Sequence, residues 1–332
     1  MRPIPQAPDP SAMARFGPDF GQRFILTVDT EEEFDWSKPF DRENHGTLHV
    51  PRLGKFQTFC ENEGVRPIYL VDYPIANSEL AGDLLRDAIG NGRADVGIQL
   101  HPWVSPPLIE AVNSANSFAG NLPADLEYEK LARLRDRIEQ TFGAPPLIYR
   151  AGRYGTGPTT AQSLRRLGVA IDTSVRALFD YSAEGGPDYR RHPLHPYWID
   201  TENRQLLELP LTSVFWGMLR RQGGMVYPRL WRIPQMRGVL ASLGLLERIP
   251  LTPEGVSVDE ALRGIDMAID DGLPVLNFSF HSPSLQPGHT PYVRSESDLD
   301  GLYDWWRAIF AYLRERGVQN AAVDDIMAAA VR

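Results

Sequence analysis

Short apolar runs alternate with longer amphipathic stretches along this chain. Residues 24–28, Phe-Ile-Leu-Thr-Val, are β-branched and apolar on both faces, the pattern of a strand covered on both sides. The same character returns at 67–71, 94–100, 147–149, 169–171, 206–209 and 275–280, and 318–323 reads as a last strand. Helical spacing fills the gaps. Asn77 reads as an N-cap before Leu80, Leu84 and Ala88. Tyr128, Leu131, Leu134 and Ile138 share a face until Gly143 and Pro145 end the element. Ser257 with Glu260 is a capping-box signature ahead of the stripe Val258, Leu262, Ile265 and Ile269. A long helix starts at Ser297 and carries Leu299, Leu302, Trp306, Ile309 and Leu313 to a stop near Gly317. Strand–helix alternation predicts an α/β fold with a parallel sheet covered by helices. Residues 1–22 read as an N-terminal arm and 23–332 as a single domain. A less regular insertion around 180–255 reads either as a substrate-facing cap or as an ordinary loop-and-helix elaboration.

Composition narrows the function. The 332 residues suffice for a sizeable core, and 42% hydrophobic with 23% charged residues is the balance of a globular protein. Lys+Arg 34 against Asp+Glu 43 leaves a net charge of −9, which argues against nucleic acid or an anionic membrane as partner. A neutral or polyhydroxylated substrate fits better. The one cysteine, Cys60, excludes an internal disulfide and lies in an apolar helical stretch, where it reads as a small buried hydrophobe. Residues 1–20 hold five prolines and no apolar leader-like run, and no stretch is long and apolar enough to span a bilayer. The expectation is a cytoplasmic protein with no membrane insertion.

A parallel barrel gathers its polar site at the C-terminal ends of its strands. The residues that follow the apolar runs are Asp29, His101, Arg150, Asp172 and His281. Their convergence is the signal, since any single strand end is often polar. Asp29 as a turn cap, with Glu31 to Glu33 as a solvated charge run, is the alternative. Against it, these carboxylates directly follow an apolar strand and precede Phe34 and Trp36, which would wall a cleft. Alternate strand residues point the same way, so Asp29 and Glu31 share a face, as a base and a metal ligand would require. Gln99 and His101 share one by the same period. Pro102 and Trp103 would hold the His101 loop rigid, which benefits a ligand. His281 suits a general acid, since imidazole titrates near neutrality. His45, His49, His192 and His195 fall in predicted loops and are read as surface residues, one of which could complete a metal shell.

The ordered set Thr27-Val28-Asp29-Thr30-Glu31, Gly97 to Trp103, Arg150-Ala151-Gly152-Arg153-Tyr154-Gly155, Asp172-Thr173-Ser174 and Phe278 to Ser282 resembles the NodB-homology polysaccharide deacetylases, the family 4 carbohydrate esterases. Ile68-Tyr69-Leu70-Val71-Asp72-Tyr73-Pro74 resembles their WalW-like branch, found with bacterial surface-polysaccharide genes. The resemblance covers roughly 23–180 and 273–325. It implies an incomplete parallel (β/α) barrel of about seven strands. It also implies a metal-dependent hydrolase that removes N-acetyl or O-acetyl groups from a carbohydrate. Asp29 matches the base, Glu31 the metal-binding acid, Arg150 the arginine that orients the base, and His281 the acid histidine. Tyr154 lies near the position of an aromatic partner. The sequence departs from the family where two histidines one helical turn apart are usual, because Gln99 and Trp103 take those places around His101. The implied divalent metal, zinc by preference, would rest on Glu31, His101 and Asp29. Trp36, Trp103 and Tyr154 are expected as walls for a sugar ring, with Asp172 among the substrate contacts. Two other readings stand beside this one: a hydrolase of a non-sugar C–N bond on the same scaffold, and a carbohydrate-binding protein that has lost its metal.

Overall fold

Every apolar run named above contributes a strand in the computed structural model, which describes residues 1–35, 38–230 and 233–331. We label those of the main sheet β1 (Arg23–Thr30), β2 (Pro67–Val71), β3 (Asp95–Leu100), β4 (Ile148–Ala151), β5 (Ile171–Asp172), β6 (Tyr197–Trp198), β7 (Leu207–Glu208), β8 (Val275–His281) and β9 (Gln319–Asn320). Their spatial order is β8-β1-β2-β3-β4-β5-β7-β6, with β9 beside the start of β1. From β8 to β7 all neighbours run parallel, and β6 closes that edge antiparallel. The predicted α/β architecture, an incomplete parallel barrel of the (β/α)7 type, is therefore present: the seven strands from β8 to β7 run parallel around the curl, and β8 does not pair with β7 as a strand.

The two-residue period of a strand sorts side chains between two compartments. Phe24, Leu26 and Val28 of β1 join the helix-covered core, together with Val96, Ile98, Tyr149, Phe278 and Phe280. Ile25 instead meets Ile68, Ile148, Ile171, Leu207 and Val275 in a second cluster inside the curl, shared with Phe20, Val323 and Ile326. Above this apolar layer the interior turns polar. Asn277 bridges the open seam: its side-chain amide donates to Thr173 Oγ1 (2.7 Å) and to the Leu209 carbonyl (3.3 Å), and its carbonyl accepts from the Thr212 backbone (3.3 Å). Gly97 is needed in β3 because a Cβ there would lie 2.6 Å from both Ile148 and Leu70.

Several boundaries differ from expectation. Ser78, not Asn77, caps the helix Glu79–Gly90, and Ser295 with Asp298, not Ser297, opens Glu296–Glu315 through a capping box. The capping box at Ser257 and Glu260 is present. The stretch 318–323 yields only the two residues of β9, because Val323 starts the helix Val323–Ala329. Residues 180–255 contain β6 and β7 as well as a two-stranded antiparallel sheet, Ser213–Trp216 with Glu247–Pro250. Ile4 and Ala12 of the N-terminal arm are buried, and Arg15–Phe16 pairs with Ala330–Val331. His192 is buried rather than at the surface, its Nε2 3.0 Å from the Ile4 carbonyl.

One buried acid makes stability depend on pH. Glu127, in the helix Ala124–Phe142, is fully covered and accepts from the hydroxyls of Thr160 and Thr159. Burial pushes its pKa up to about 7, against the opposing pull of those hydrogen bonds. The folded protein therefore holds this proton more tightly than the unfolded chain does. The stability it contributes is whole below about pH 4.5 and is lost as the pH rises through about 7. Glu127→Gln, which cannot ionise, is expected to stabilise the protein at pH 8 by up to about 3 kcal/mol, at roughly 1.4 kcal/mol per pH unit. Denaturant midpoints at pH 4.5 and 8 check this, and equal shifts at the two pH values would contradict it.

Candidate functional site

The parallel register aligns the strand ends that carry chemistry. His281 lies opposite Asp29 across β8 and β1, and Gln99 opposite Arg150 across β3 and β4. Inward alternation then brings Asp29, Glu31, Gln99, His101, Arg150, Tyr154 and His281 around one cavity of about 280 Å³. Phe34, Phe40 and Trp103 form apolar wall, and Lys38 and Arg153 also border it.

Asp29 is buried and held by Arg150, whose Nη1 donates to Oδ1. The guanidinium is itself buried and fixed from behind: Nη2 donates to Thr27 Oγ1 (2.8 Å) and Nε to the Thr173 carbonyl (3.2 Å). Asp29 Oδ2 faces His281 Nε2 at 3.7 Å. His281 is held from its other side by Glu254, with Oε2 2.6 Å from Nδ1 and Oε1 accepting from the backbone N–H at 3.1 Å. Burial works against a charge on His281, yet Glu254, Glu31 and Asp29 together push its pKa up to about 10. The ring is therefore an imidazolium at neutral pH.

Glu31 and His101 form the other half. His101 Nε2 is 3.5 Å from Glu31 Oε2, and Gln99 Nε2 donates to that same oxygen at 2.8 Å. Burial pushes the pKa of Glu31 up to about 8, with His281 and His101 pulling it down. His101 Nδ1 lies 2.7 Å from Glu32 Oε2, while Glu32 Oε1 accepts from the Trp103 indole (2.8 Å). The Trp103 ring stacks on His101 at 4.4 Å. Gly152 makes this possible, since a Cβ there would lie 2.4 Å from the imidazole.

Glu32, Asp72 and His101 place possible ligand atoms within 4.8 Å of one another. The oxygens of the two acids are already met by donors. Asp72 accepts from the Ile75 and Glu32 backbone N–H groups (2.9 and 2.6 Å), and Glu32 is taken by Trp103 and His101. Such a carboxylate on Nδ1 fixes the tautomer that leaves the Nε2 lone pair toward the cavity. A cation therefore suits the cavity side, where Glu31 and His101 Nε2 converge. The Gln99 Nε2 lies 2.8 Å from Glu31 Oε2 and 3.4 Å from His101 Nε2, while its Oε1 is buried without a hydrogen-bond partner among the described residues. Turned end for end, the amide sets that orphaned acceptor beside the carboxylate and the imidazole, a donor set that fits a bound cation.

One expected residue lies elsewhere. Asp172 does not border the cavity. It occupies the outer, helix-facing side of β5, where its Oδ1 accepts from Ser174 Oγ (2.6 Å) and its carboxyl adjoins that of Glu208. The strand period puts Ile171 and Thr173 inside instead, which a reading from the end of the apolar run alone does not decide. Trp36 lies outside the described residues. The Glu31 to Glu33 run is buried rather than solvated. His49, expected at the surface, is fully buried: its ring joins Glu33 Oε1 (2.8 Å) to Ser282 Oγ (2.8 Å), and that hydroxyl accepts from the Glu31 backbone (3.3 Å). Glu32, Asp72 and Glu254 were not singled out as site residues. Asp72 directly follows the run 67–71 and was findable by the strand-end rule, whereas Glu254 comes from a loop with no local signal.

Arg153 and Tyr154 both take left-handed φ, 54° and 60°. Such conformations cost of order 1–3 kcal/mol each and persist only where their surroundings enforce them. Here Tyr189 Oη donates to the Tyr154 carbonyl (2.7 Å), and the Gly120 N–H donates to the Gly155 carbonyl (2.7 Å).

Fold and pocket together define an incomplete parallel (β/α) barrel with a carboxylate–imidazole cavity at the C-terminal ends of its strands. No family model and no curated protein matches the sequence. Among solved structures, the chain is similar to one described as a polysaccharide deacetylase from Mycobacterium smegmatis, at 17% identity and a TM-score of 0.47, covering 97% of this chain and 98% of that one. It is also similar to the Bc1960 peptidoglycan N-acetylglucosamine deacetylase, at 13% identity and a TM-score of 0.45, covering 93% and 89%. The PuuE allantoinase matches at 14% identity and a TM-score of 0.49, covering 94% and 91%.

Proposed function

We propose that this protein is a metal-dependent hydrolase of the polysaccharide-deacetylase type, which removes from a carbohydrate an N-acetyl group, by cleaving a non-peptide carbon–nitrogen bond, or an O-acetyl group. A place in bacterial surface-polysaccharide metabolism, in the cytoplasm, belongs to the same proposal. The observation that carries it is the pairing of a carboxylate with an imidazolium across one cavity: Asp29 Oδ2 and His281 Nε2 are 3.7 Å apart, each anchored on its far side. No described helix is long and apolar enough to cross a membrane.

A divalent cation, zinc by preference, would be held by Glu31 and His101 with the Gln99 amide oxygen, and Asp29 alongside. When bound it supplies Lewis acidity toward water and an acyl oxygen. The chain's own residues do the rest. Arg150 occupies Asp29 Oδ1 and so directs Oδ2 into the cavity, where it accepts the proton of the attacking water. Glu254 occupies His281 Nδ1, so the Nε2 proton is the one available to the departing amine. Trp103, Phe40 and Tyr154 wall the space for a sugar ring.

Metal titration of the purified protein tests the reading. Roughly one divalent ion per chain is expected, with His101→Ala abolishing tight binding. Acetate release from an N-acetylated oligosaccharide should depend on that ion. Turnover by metal-free protein would refute the mechanism, and inert protein that binds no metal would favour the carbohydrate-binding reading.

A further inference from the structure

His281 and Tyr154 border a second cavity as well, of about 200 Å³, on the side away from Glu31. Its lining is polar and includes Arg176, Thr212, Ser213, Thr252, Ser279 and Tyr292. Arg176 comes from the loop after β5, just past Val175, whose N–H donates to Glu208 (3.1 Å). Its guanidinium lies 4.0 Å from the centre of the Phe179 ring and 5.2 Å from that of Tyr154. Nη1 donates to the Tyr181 hydroxyl at 3.3 Å. Arg248 holds the same loop by donating to the Leu178 carbonyl (2.9 Å).

The cations near the site differ in one respect. Arg150 is paired with Asp29, Arg153 with Glu184 and Lys38 with Asp35. Arg176 has no carboxylate within 4.0 Å among the described residues. A partly buried guanidinium that borders a cavity and has no counter-ion is open to a charge-assisted hydrogen bond to an anionic ligand. A second observation lies at the same cavity: Ser213 is among its lining residues, and its Oγ is fully buried with no hydrogen-bond partner among the described residues. Glu254 also borders the cavity, but its oxygens are engaged by His281 and by Ser284 Oγ (2.8 Å).

We propose that this cavity is a subsite for a carboxylate of the substrate, bound by Arg176 with Ser213, so that the protein acts on an acidic glycan carrying a uronic acid beside the acetylated sugar. The planar guanidinium fork matches a carboxylate, and the neighbouring hydroxyls suit a sugar ring. Because the cavity adjoins His281, the acidic residue lies on the side where the leaving group is protonated. The substrate class rests on the deacetylase reading, whereas the anion subsite stands on its own.

Calorimetry on the metal-loaded protein tests the subsite without turnover, using glucuronate, glucose and inorganic phosphate as probes. Glucuronate is expected to bind at least about tenfold more tightly than glucose and to raise the melting temperature. Arg176→Gln should weaken it by roughly 10- to 100-fold, the range usual for one charge-assisted hydrogen-bonded contact. Arg176→Lys, which keeps the charge but not the fork, should weaken it less. Circular dichroism shows whether each variant is folded, and the probe comparison on the parent protein holds even if one is not. Equal binding of glucose and glucuronate, or phosphate binding more tightly than glucuronate, would overturn the carboxylate subsite. Acetate release should be faster from a uronate-containing N-acetylated oligosaccharide than from a neutral one, and Arg176→Gln should erase the difference. Arg176-dependent glucuronate binding by a protein that releases no acetate from any sugar would sink the deacetylase reading and leave the subsite intact. Equal release from both oligosaccharides, unchanged by Arg176→Gln, would sink the subsite and leave the deacetylase reading standing.

Discussion

Asp29→Asn is expected to lower kcat on an acetylated oligosaccharide by roughly 10²- to 10⁴-fold, the range for loss of a general base. Asparagine preserves the shape and can still meet Arg150 through its amide oxygen. What it removes is the negative charge, both toward the attacking water and toward the buried guanidinium. Arg150 then lacks its counter-ion, and breaking a buried pair from one side typically costs about 3–5 kcal/mol. The variant should therefore melt below the parent while keeping its fold. Arg150 also donates to Thr27 and Thr173, which limits that loss. Single-turnover assays at saturating substrate separate the two effects, because a stability loss lowers the active fraction and a missing base lowers the rate of each folded molecule. A folded Asp29→Asn protein with parental kcat would remove Asp29 from the base role.

His281→Ala is the second large change, again about 10²- to 10⁴-fold in kcat for a lost general acid. Metal content should remain near that of the parent, since His281 is assigned to the leaving group. If the metal is lost instead, His281 is a ligand and the acid assignment fails. The pH profile discriminates further. Against the effect of burial, Glu254 pushes the His281 pKa up, so the acid form is present at neutral pH and is lost as the pH rises through its pKa. The parent should thus show an alkaline limb that His281→Ala flattens. Glu254→Gln removes the carboxylate that raises His281 most and should move the limb to lower pH. A limb that stays in place in Glu254→Gln would mean that another group sets it.

Much of the barrel was legible from the chain because strands covered on both faces leave unbroken apolar runs. Residues 24–28, 67–71 and 275–280 stand out for that reason, and Asp29 and His281 follow from the ends of theirs. Inside and outside were less legible. A run that is apolar throughout does not say which alternate residue points into the curl, and so its end points to Asp172 while Thr173 holds the interior position. Helix starts were off by one or two residues where neighbouring serines and asparagines compete as caps, as at Ser78 and Ser295.

By itself the sequence determined the parallel α/β architecture, the strand-end residues Asp29, His101, Arg150 and His281, Glu31 on the same face as Asp29, and the departure at Gln99 and Trp103. These depend on local periodicity and on position after an apolar run, both of which are written along the chain. Only the tertiary structure decided that Glu32 takes His101 Nδ1, that Trp103 secures Glu32, and that His49 and Ser282 hold the Glu31 backbone. It alone brought Glu254 to His281 and set Arg176 at the second cavity with no carboxylate within 4.0 Å among the described residues. Those contacts join residues far apart in the chain through the strand register and the curl of the sheet. No local pattern of residues encodes a distance set by two elements that meet only after folding.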